Sequence, residues 1–154
     1  MRICAGHAGI AIRGASRHNT GMSDPEYTPL TPLEAVVRDG MAGIGNEHDI
    51  VAALMSAQVC VPSASEVSAA GDNLTPLIVQ SQRYAGPMIV IFDDTRHIGP
   101  QVARMAPYCL QVDAEWLVRS IAPDHGLMLF VGPTMGCEIS AGQVAEKRAA
   151  PAAR

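Results

Sequence analysis

The stretch Pro87–Asp94 constrains the fold of this chain more than any other. Between a Gly-Pro turn and two carboxylates it places five consecutive large apolar residues. An uninterrupted apolar run of this length is typical of a strand buried on both faces, and the flanking turn and charges mark where the strand enters and leaves the core. We therefore predict a central buried strand that emerges into water at Asp93 and Asp94.

Length and composition indicate one domain with a substantial core. The chain has 154 residues, of which 48% are hydrophobic and 17% charged, and a chain of this size buries roughly two-thirds of the surface that it exposes when unfolded. Its formal net charge of −4 provides no basic surface for nucleic acid or anionic lipid. No apolar run approaches the roughly 20 residues that cross a bilayer. We expect neither a nucleic-acid nor a membrane partner.

The four cysteines are widely spaced and form no Cys-x-x-Cys motif; they are Cys4, Cys60, Cys109 and Cys137. A chain with this much apolar sequence does not need disulfides for stability. Cys60 and Cys109 lie in apolar strand-like runs, where a free thiol packs as a small hydrophobic group. We predict buried, reduced cysteines and hence a cytoplasmic location.

The chain divides into an extension, a domain and a tail. Residues 1–21 contain three arginines and no acid, and Met22 opens a segment typical of a protein start. We predict a disordered N-terminal extension over residues 1–29, with Met22 as an alternative true start. The domain is predicted over residues 30–147, followed by a flexible tail over residues 148–154.

Helix and strand signals give the element order of the domain. One helix start is predicted by Thr31 as a cap, Pro32 at the first helical position and Glu34 as a capping-box partner. Asn46 predicts a second helix start. The remaining signals give the order α-α-β-β-β-α-β-α-β-(β)-α. The fold class is α+β or α/β: a single domain with a mixed sheet of about five strands covered by helices, and with an N-terminal helical pair.

A late helix is predicted over residues 114–121, with Asp113 as its cap. Trp116, Leu117 and Ile121 lie on one side of this helix by spacing, and we expect them to face the core. His125, in the Pro-Asp-His-Gly segment that follows, is interpreted as a turn residue.

The carboxylates at the exit of the central strand are the main hint of chemistry in the sequence. Open α/β sheets bind ligands at the carboxyl ends of their strands, so Asp93 and Asp94 are candidate ligand-binding residues. One hypothesis is a metal-dependent hydrolase that uses Asp93, Asp94 and His97. A simpler interpretation has Asp94 capping a helix that starts at Thr95, with Asp93 solvated.

Familiar catalytic patterns do not occur in the sequence. The single lysine, Lys147, lies near the C-terminus, which excludes a P-loop and the lysine-dependent phosphatase and receiver sites. No Gly-x-Ser-x-Gly motif is found, and no cysteine has a local activating sequence. We expect a protein that is not an enzyme and carries no cofactor.

Several short motifs follow one another between Leu30 and Lys147. They are Pro-Leu-Glu-Ala-Val, Ala-Gln-Val-Cys-Val-Pro, Leu-Thr-Pro-Leu-Ile-Val, Gly-Pro-Met-Ile-Val-Ile-Phe-Asp-Asp, Glu-Trp-Leu-Val and Gly-Leu-Met-Leu-Phe-Val-Gly-Pro. This order resembles the N-terminal domain of SseB-like proteins, the family named for enhanced serine sensitivity.

The resemblance implies a function and draws attention to two strand exits. Family members usually have Phe-Thr-Ser where this chain has Phe-Asp93-Asp94, and Asn-Pro-Gly where it has Val-Gly132-Pro133. Gly132 and Pro133 therefore join Asp93 and Asp94 as candidate ligand-binding residues. The family has no established enzymatic activity, so the resemblance implies a non-catalytic binding or regulatory module that recognises a protein partner or small ligand in the bacterial cytoplasm. A homo-oligomeric, purely structural protein is a further hypothesis.

Overall fold

The computed structural model of the chain describes residues 2–4, 28–29, 31–132 and 135–151. Its helices are α1 (Pro32–Met41), α2 (Glu47–Met55), α3 (Pro100–Met105), α4 (Ala114–Ser120) and α5 (Ala141–Ala149), with a 3₁₀ turn at Thr95–His97. Its strands are β1 (Arg2–Cys4), β2 (Gln58–Ser63), β3 (Ile78–Gln80), β4 (Pro87–Phe92), β5 (Tyr108–Asp113), β6 (Gly126–Val131) and β7 (Met135–Ile139). In the described part of the chain, no helix is long and apolar enough to cross a membrane.

The strands form one mixed sheet in the order β1-β7-β6-β4-β2-β5, with β3 paired to β4. Strand β4 pairs in parallel with β6, while its other side pairs antiparallel with β3 and, at Phe92, with Cys60 of β2. Strand β5 pairs antiparallel with β2. The predicted mixed sheet, helical cover and N-terminal helical pair are confirmed. Five strands have five or six residues, and β1 and β3 add three residues each.

Strand β4 lies at the centre of the core, as its apolar run predicts. Every residue from Met88 to Phe92 is buried, and successive side chains point to opposite faces of the sheet. Ile89 and Ile91 join the larger apolar cluster with α1, α2, α4 and α5. Met88, Val90 and Phe92 join a smaller cluster on the other face, against which α3 packs.

Strand β1 lies within residues 1–29, for which the sequence predicted a disordered extension, so the prediction is wrong for this short segment. Arg2–Cys4 pairs antiparallel with β7, between Glu138 and Gly136. The outer edge of β7 presents backbone N–H and C=O groups, and a short extended segment satisfies them whatever its composition. Residues 28–29 have no regular structure. The rest of the predicted extension, including Met22, lies outside the described residues.

Helix α5 extends past the boundary predicted at Lys147. The helix ends at Ala149, and the Arg148 guanidinium donates hydrogen bonds to the carbonyl oxygens of Val118 at 3.0 Å and Ile121 at 2.8 Å. These bonds connect the last turn of α5 to the C-terminal end of α4. The start of the predicted flexible tail therefore belongs to the folded domain.

Candidate functional site

The two adjacent carboxylates at the end of β4 lie in different environments. The Asp93 side chain is 0% exposed, whereas that of Asp94 is 20% exposed. Neighbouring residues at a strand end point in opposite directions, so one carboxylate turns into the molecule and the other turns out. The interpretation of Asp93 as a solvated residue is wrong, because polar groups from three other segments close around it.

Asp93 accepts a hydrogen bond from each of these segments. Its Oδ2 accepts from the Thr31 hydroxyl at 3.0 Å and from the Gly132 backbone N–H at 3.4 Å. Its Oδ1 lies 2.7 Å from Nδ1 of His97, which donates. Thr31 precedes α1, His97 closes the 3₁₀ turn and Gly132 follows β6. One buried carboxylate therefore connects three parts of the fold that are distant in sequence.

Local helix capping places the Thr31 hydroxyl in this network. Thr31 is the N-cap of α1, as predicted, and its Oγ1 accepts a hydrogen bond from the Glu34 backbone N–H at 3.1 Å. The same hydroxyl donates a hydrogen bond to Asp93. A threonine cap can serve both roles because a hydroxyl is a donor and an acceptor. The start of α1 is thus fixed to the end of β4.

Glu34, which the sequence predicted only as a capping-box partner, also belongs to this centre. It is fully buried, and its carboxylate lies against Gly132, where an added β-carbon would sit 2.5 Å from Oε1. The available signal is its position between Leu33 and Val37, both on the buried side of α1. Glu34, Asp93 and His97 each offer a ligand atom, and these atoms lie within 4.8 Å of one another. We refer to these three residues with Thr31 and Gly132 as the Asp93 centre.

Asp94 lies outside the Asp93 centre. Its Oδ1 caps the 3₁₀ turn by accepting from the Arg96 backbone N–H at 2.9 Å, which confirms the predicted capping role. Both of its carboxylate oxygens also accept hydrogen bonds from the Arg96 guanidinium at 2.8 Å. These hydrogen bonds hold the pKa of Asp94 well below its usual range. Of the candidate ligand-binding residues, Asp93 and Gly132 are in contact, Asp94 faces away, and Pro133 lies outside the described residues.

The hydrolase hypothesis gains no support from this arrangement. Both oxygens of Asp93 already accept hydrogen bonds from the protein, so a cation there would have to replace them. The centre is also closed to substrate, because the side chains of Asp93 and His97 are 0% and 7% exposed. The geometry is that of a polar network that fastens α1, β4 and the segment after β6.

Gly132 gives a direct test of how tightly this centre is packed. Its φ is +59°, so Gly132→Ala should lower the free energy of unfolding by roughly 1–2 kcal/mol through the left-handed backbone alone. The loss should be larger because the new methyl group would lie against Glu34. Urea unfolding followed by circular dichroism measures it. Gly142→Ala is the control, since its nearest atom is 3.8 Å away; an equal loss in both variants would contradict the packing.

A separate, open feature lies on the face of the sheet that α4 covers. It is a groove of about 400 Å³, with Trp116 at its side, and it is lined mainly by apolar residues: Leu74, Pro76, Ile78, Ile89, Leu117 and Ile121. His125 also lines it, and Nδ1 of His125 lies 2.8 Å from the Asp124 carboxylate.

The prediction that Trp116 faces inward is wrong. Trp116 is 40% exposed, whereas Leu117 is 1% exposed. The buried side of α4 is set by Ala114, Leu117 and Val118, and successive helical residues are rotated by about 100°. The indole therefore lies at the border of the buried face, beside the groove.

A second depression, of about 290 Å³, adjoins the first at Gly71 and Trp116. Its lining is more polar and includes Gln58, Gln111 and Asp113. Gln111 and Asp113 belong to β5, which ends the sheet in the described part of the chain. We refer to the two depressions together as the Trp116 groove.

The Trp116 indole packs closely against Gly71. Its φ is +85°, and a β-carbon on it would lie 3.0 Å from Cη2 of Trp116. We expect Gly71→Ala to displace the ring, to shift the emission of this single tryptophan, and to cost roughly 1–2 kcal/mol of stability. Fluorescence spectra and urea unfolding measure both effects. Gly99→Ala, with no atom within 4 Å, should leave the emission unchanged, and an unshifted spectrum for Gly71→Ala would contradict this contact.

Comparison with curated proteins finds no match for the chain, and neither does comparison with solved structures. The family model for the SseB protein N-terminal domain matches residues 33–146. This span takes in every described strand except β1. It also includes the whole Trp116 groove and every residue of the Asp93 centre except Thr31. The match confirms the resemblance drawn from the motif order. The chain belongs to the SseB N-terminal domain family.

Proposed function

We propose that this SseB-family domain is a non-catalytic binding module that recognises an extended peptide segment of a protein partner in the Trp116 groove. The observation that carries the proposal is the single tryptophan, exposed beside an apolar groove. Tryptophan is enriched among the residues that dominate binding energy at interfaces. Burial of the exposed part of the indole by a partner would add favourable hydrophobic free energy.

The shape and chemistry of the Trp116 groove favour an elongated ligand. Its two depressions meet at Gly71 and Trp116, with apolar lining such as Leu74 at one end and polar lining at the other. Asp113 is an exposed acid at the polar end, and no lysine or arginine is among the described lining residues. We therefore expect a bulky apolar side chain in the first depression and a basic side chain facing Asp113.

Strand β5 supports an extended conformation for the peptide. Within the described residues it pairs only with β2, and its sequence, Tyr-Cys-Leu-Gln-Val-Asp, contains none of the lysine or proline that commonly protects a sheet edge. Unpaired backbone groups of an edge strand bind extended peptides by adding a strand to the sheet. The polar end of the Trp116 groove lies at this strand.

We extend the proposal to a partner in the bacterial cytoplasm. Its support is that Cys60 and Cys109 are free thiols, which suits a reducing compartment. Growth of cells that express the tagged domain, followed by fractionation, tests the compartment; recovery of the domain outside the cytoplasmic fraction would overturn this part.

The proposal is tested by selection from displayed short random peptides that lack tryptophan. The immobilised domain is the target, and the Trp116→Ala variant serves for counter-selection. We expect enrichment of sequences with a bulky apolar residue near a lysine or arginine. The proposal would be contradicted if no peptide were selected, or if every selected peptide also bound the Trp116→Ala variant and was removed by the counter-selection. Binding of a small apolar compound without any peptide would assign the groove to a small ligand instead.

A further inference from the structure

We propose that Cys60 and Cys109 form a reactive thiol pair that hydroperoxides oxidise to a disulfide between β2 and β5. This inference does not depend on the proposed peptide binding. It begins with the register of the two strands and with the different exposure of the two sulfur atoms.

The register places the two cysteines on one face of the sheet. Cys60 lies opposite Gln111, and Cys109 lies opposite Pro62. Side chains two residues apart on a strand share a face, so Cys109 lies on the same side as Gln111 and therefore as Cys60. The two cysteines are diagonal cross-strand neighbours, close enough for their side chains to interact.

The two thiols differ in access and in acidity. Cys60 is buried, as predicted, whereas Cys109 is exposed, so the prediction of a buried thiol is wrong at this position. A hydrogen bond with the Cys60 thiol lowers the pKa of Cys109, and the backbone N–H of Val61 acts in the same direction against the opposing effect of burial. The pKa of Cys60 is raised by its hydrogen bond with Cys109, by burial and by nearby negative charge. Cys109 is therefore the more accessible of the two thiols and the one that ionises more readily to thiolate, the nucleophilic form.

The reaction follows from these roles. The Cys109 thiolate attacks one peroxide oxygen, the O–O bond breaks, and the other oxygen leaves as an alcohol, or as water from hydrogen peroxide. The Cys60 sulfur then attacks the resulting sulfenic acid, loses its proton and expels water as the S–S bond forms. In sum, two thiols and one hydroperoxide give a disulfide, an alcohol and water, and the thiols supply both electrons.

The position of β5 makes this closure feasible and reversible. Diagonal neighbours have Cα atoms roughly 7–8 Å apart, beyond the usual range for a disulfide, so the first residues of β5 must move towards β2 for the bond to close. Among the described strands β5 pairs only with β2, so its outer edge carries no second ladder that would oppose this movement. A disulfide under such strain is readily reduced.

The test treats the full chain with hydrogen peroxide and maps its tryptic peptides without reduction. We expect a disulfide that joins peptides 39–83 and 105–119, a mass loss of two hydrogens, and reversal by dithiothreitol. No linked peptide, or linkage of Cys109 to another cysteine instead, would overturn the proposal. This readout uses the wild-type protein and does not depend on the folding of any variant.

Variants identify the cysteine that reacts first. Dimedone, which traps sulfenic acid, should label Cys109 in Cys60→Ser and should leave Cys60 unlabelled in Cys109→Ser. Circular dichroism establishes that both variants are folded. Labelling of Cys60 as strong as that of Cys109 would overturn the assigned roles.

Discussion

Asp93→Ala should lower the free energy of unfolding by about 3–5 kcal/mol, because it removes a buried carboxylate from its hydrogen-bonded partners. The substitution leaves the Thr31 hydroxyl, the Gly132 N–H and His97 Nδ1 without their acceptor. Each buried polar group that loses its hydrogen bond costs about 1–3 kcal/mol. Urea unfolding followed by circular dichroism measures the change.

Asp94→Ala is the matched control for this prediction. Asp94 is the next residue in sequence and also a carboxylate, yet its partner Arg96 is largely exposed. An exposed ion pair contributes at most about 1 kcal/mol, and loss of a cap typically costs about 1 kcal/mol. We therefore expect a clearly smaller loss than for Asp93→Ala. Similar losses in the two variants would show that Asp93 is not the centre of a buried network.

Trp116→Ala should weaken the binding of peptides to the Trp116 groove. We expect the dissociation constant of synthesised, selected peptides to rise by about 30-fold or more, which corresponds to the roughly 2 kcal/mol that defines an interface hot spot. The physical reason is loss of the aromatic surface between the two depressions, against which the apolar side chain of the peptide packs. Isothermal titration calorimetry measures the affinity of folded wild type and variant.

Ile44→Ala and Met105→Ala are the controls for Trp116→Ala. Their side chains are 77% and 59% exposed and are not among the lining residues of the Trp116 groove. We expect both variants to bind the peptides with wild-type affinity. An equal loss in a control variant would mean that exposed apolar surface in general, and not this groove, holds the peptide.

The sequence predicted those parts of the fold that depend on local patterns. The apolar run of β4 predicted a buried strand, and Thr31 and Asn46 predicted the starts of α1 and α2 because capping involves residues only three positions apart. In each case the deciding contacts lie within one element or one connection.

The burial of Asp93 could not be predicted in this way. Its partners Thr31 and Gly132 are 62 and 39 positions away, and only the assembled sheet brings them to the end of β4. The same holds for Trp116, because spacing places it beside the buried side of α4 but does not say where the covering loop around Gly71 ends. Tertiary contacts therefore decide whether a carboxylate at a strand end, or an aromatic residue at the border of a helix face, is buried or exposed.

The emission of Trp116 tests most directly whether the Trp116 groove holds an extended peptide. The chain has one tryptophan, so a selected peptide without tryptophan can be titrated while this single indole is observed. We expect a saturable blue shift, with the same midpoint as calorimetry, because bound peptide removes the ring from water. Unchanged emission at a peptide concentration that calorimetry shows to be saturating would contradict it.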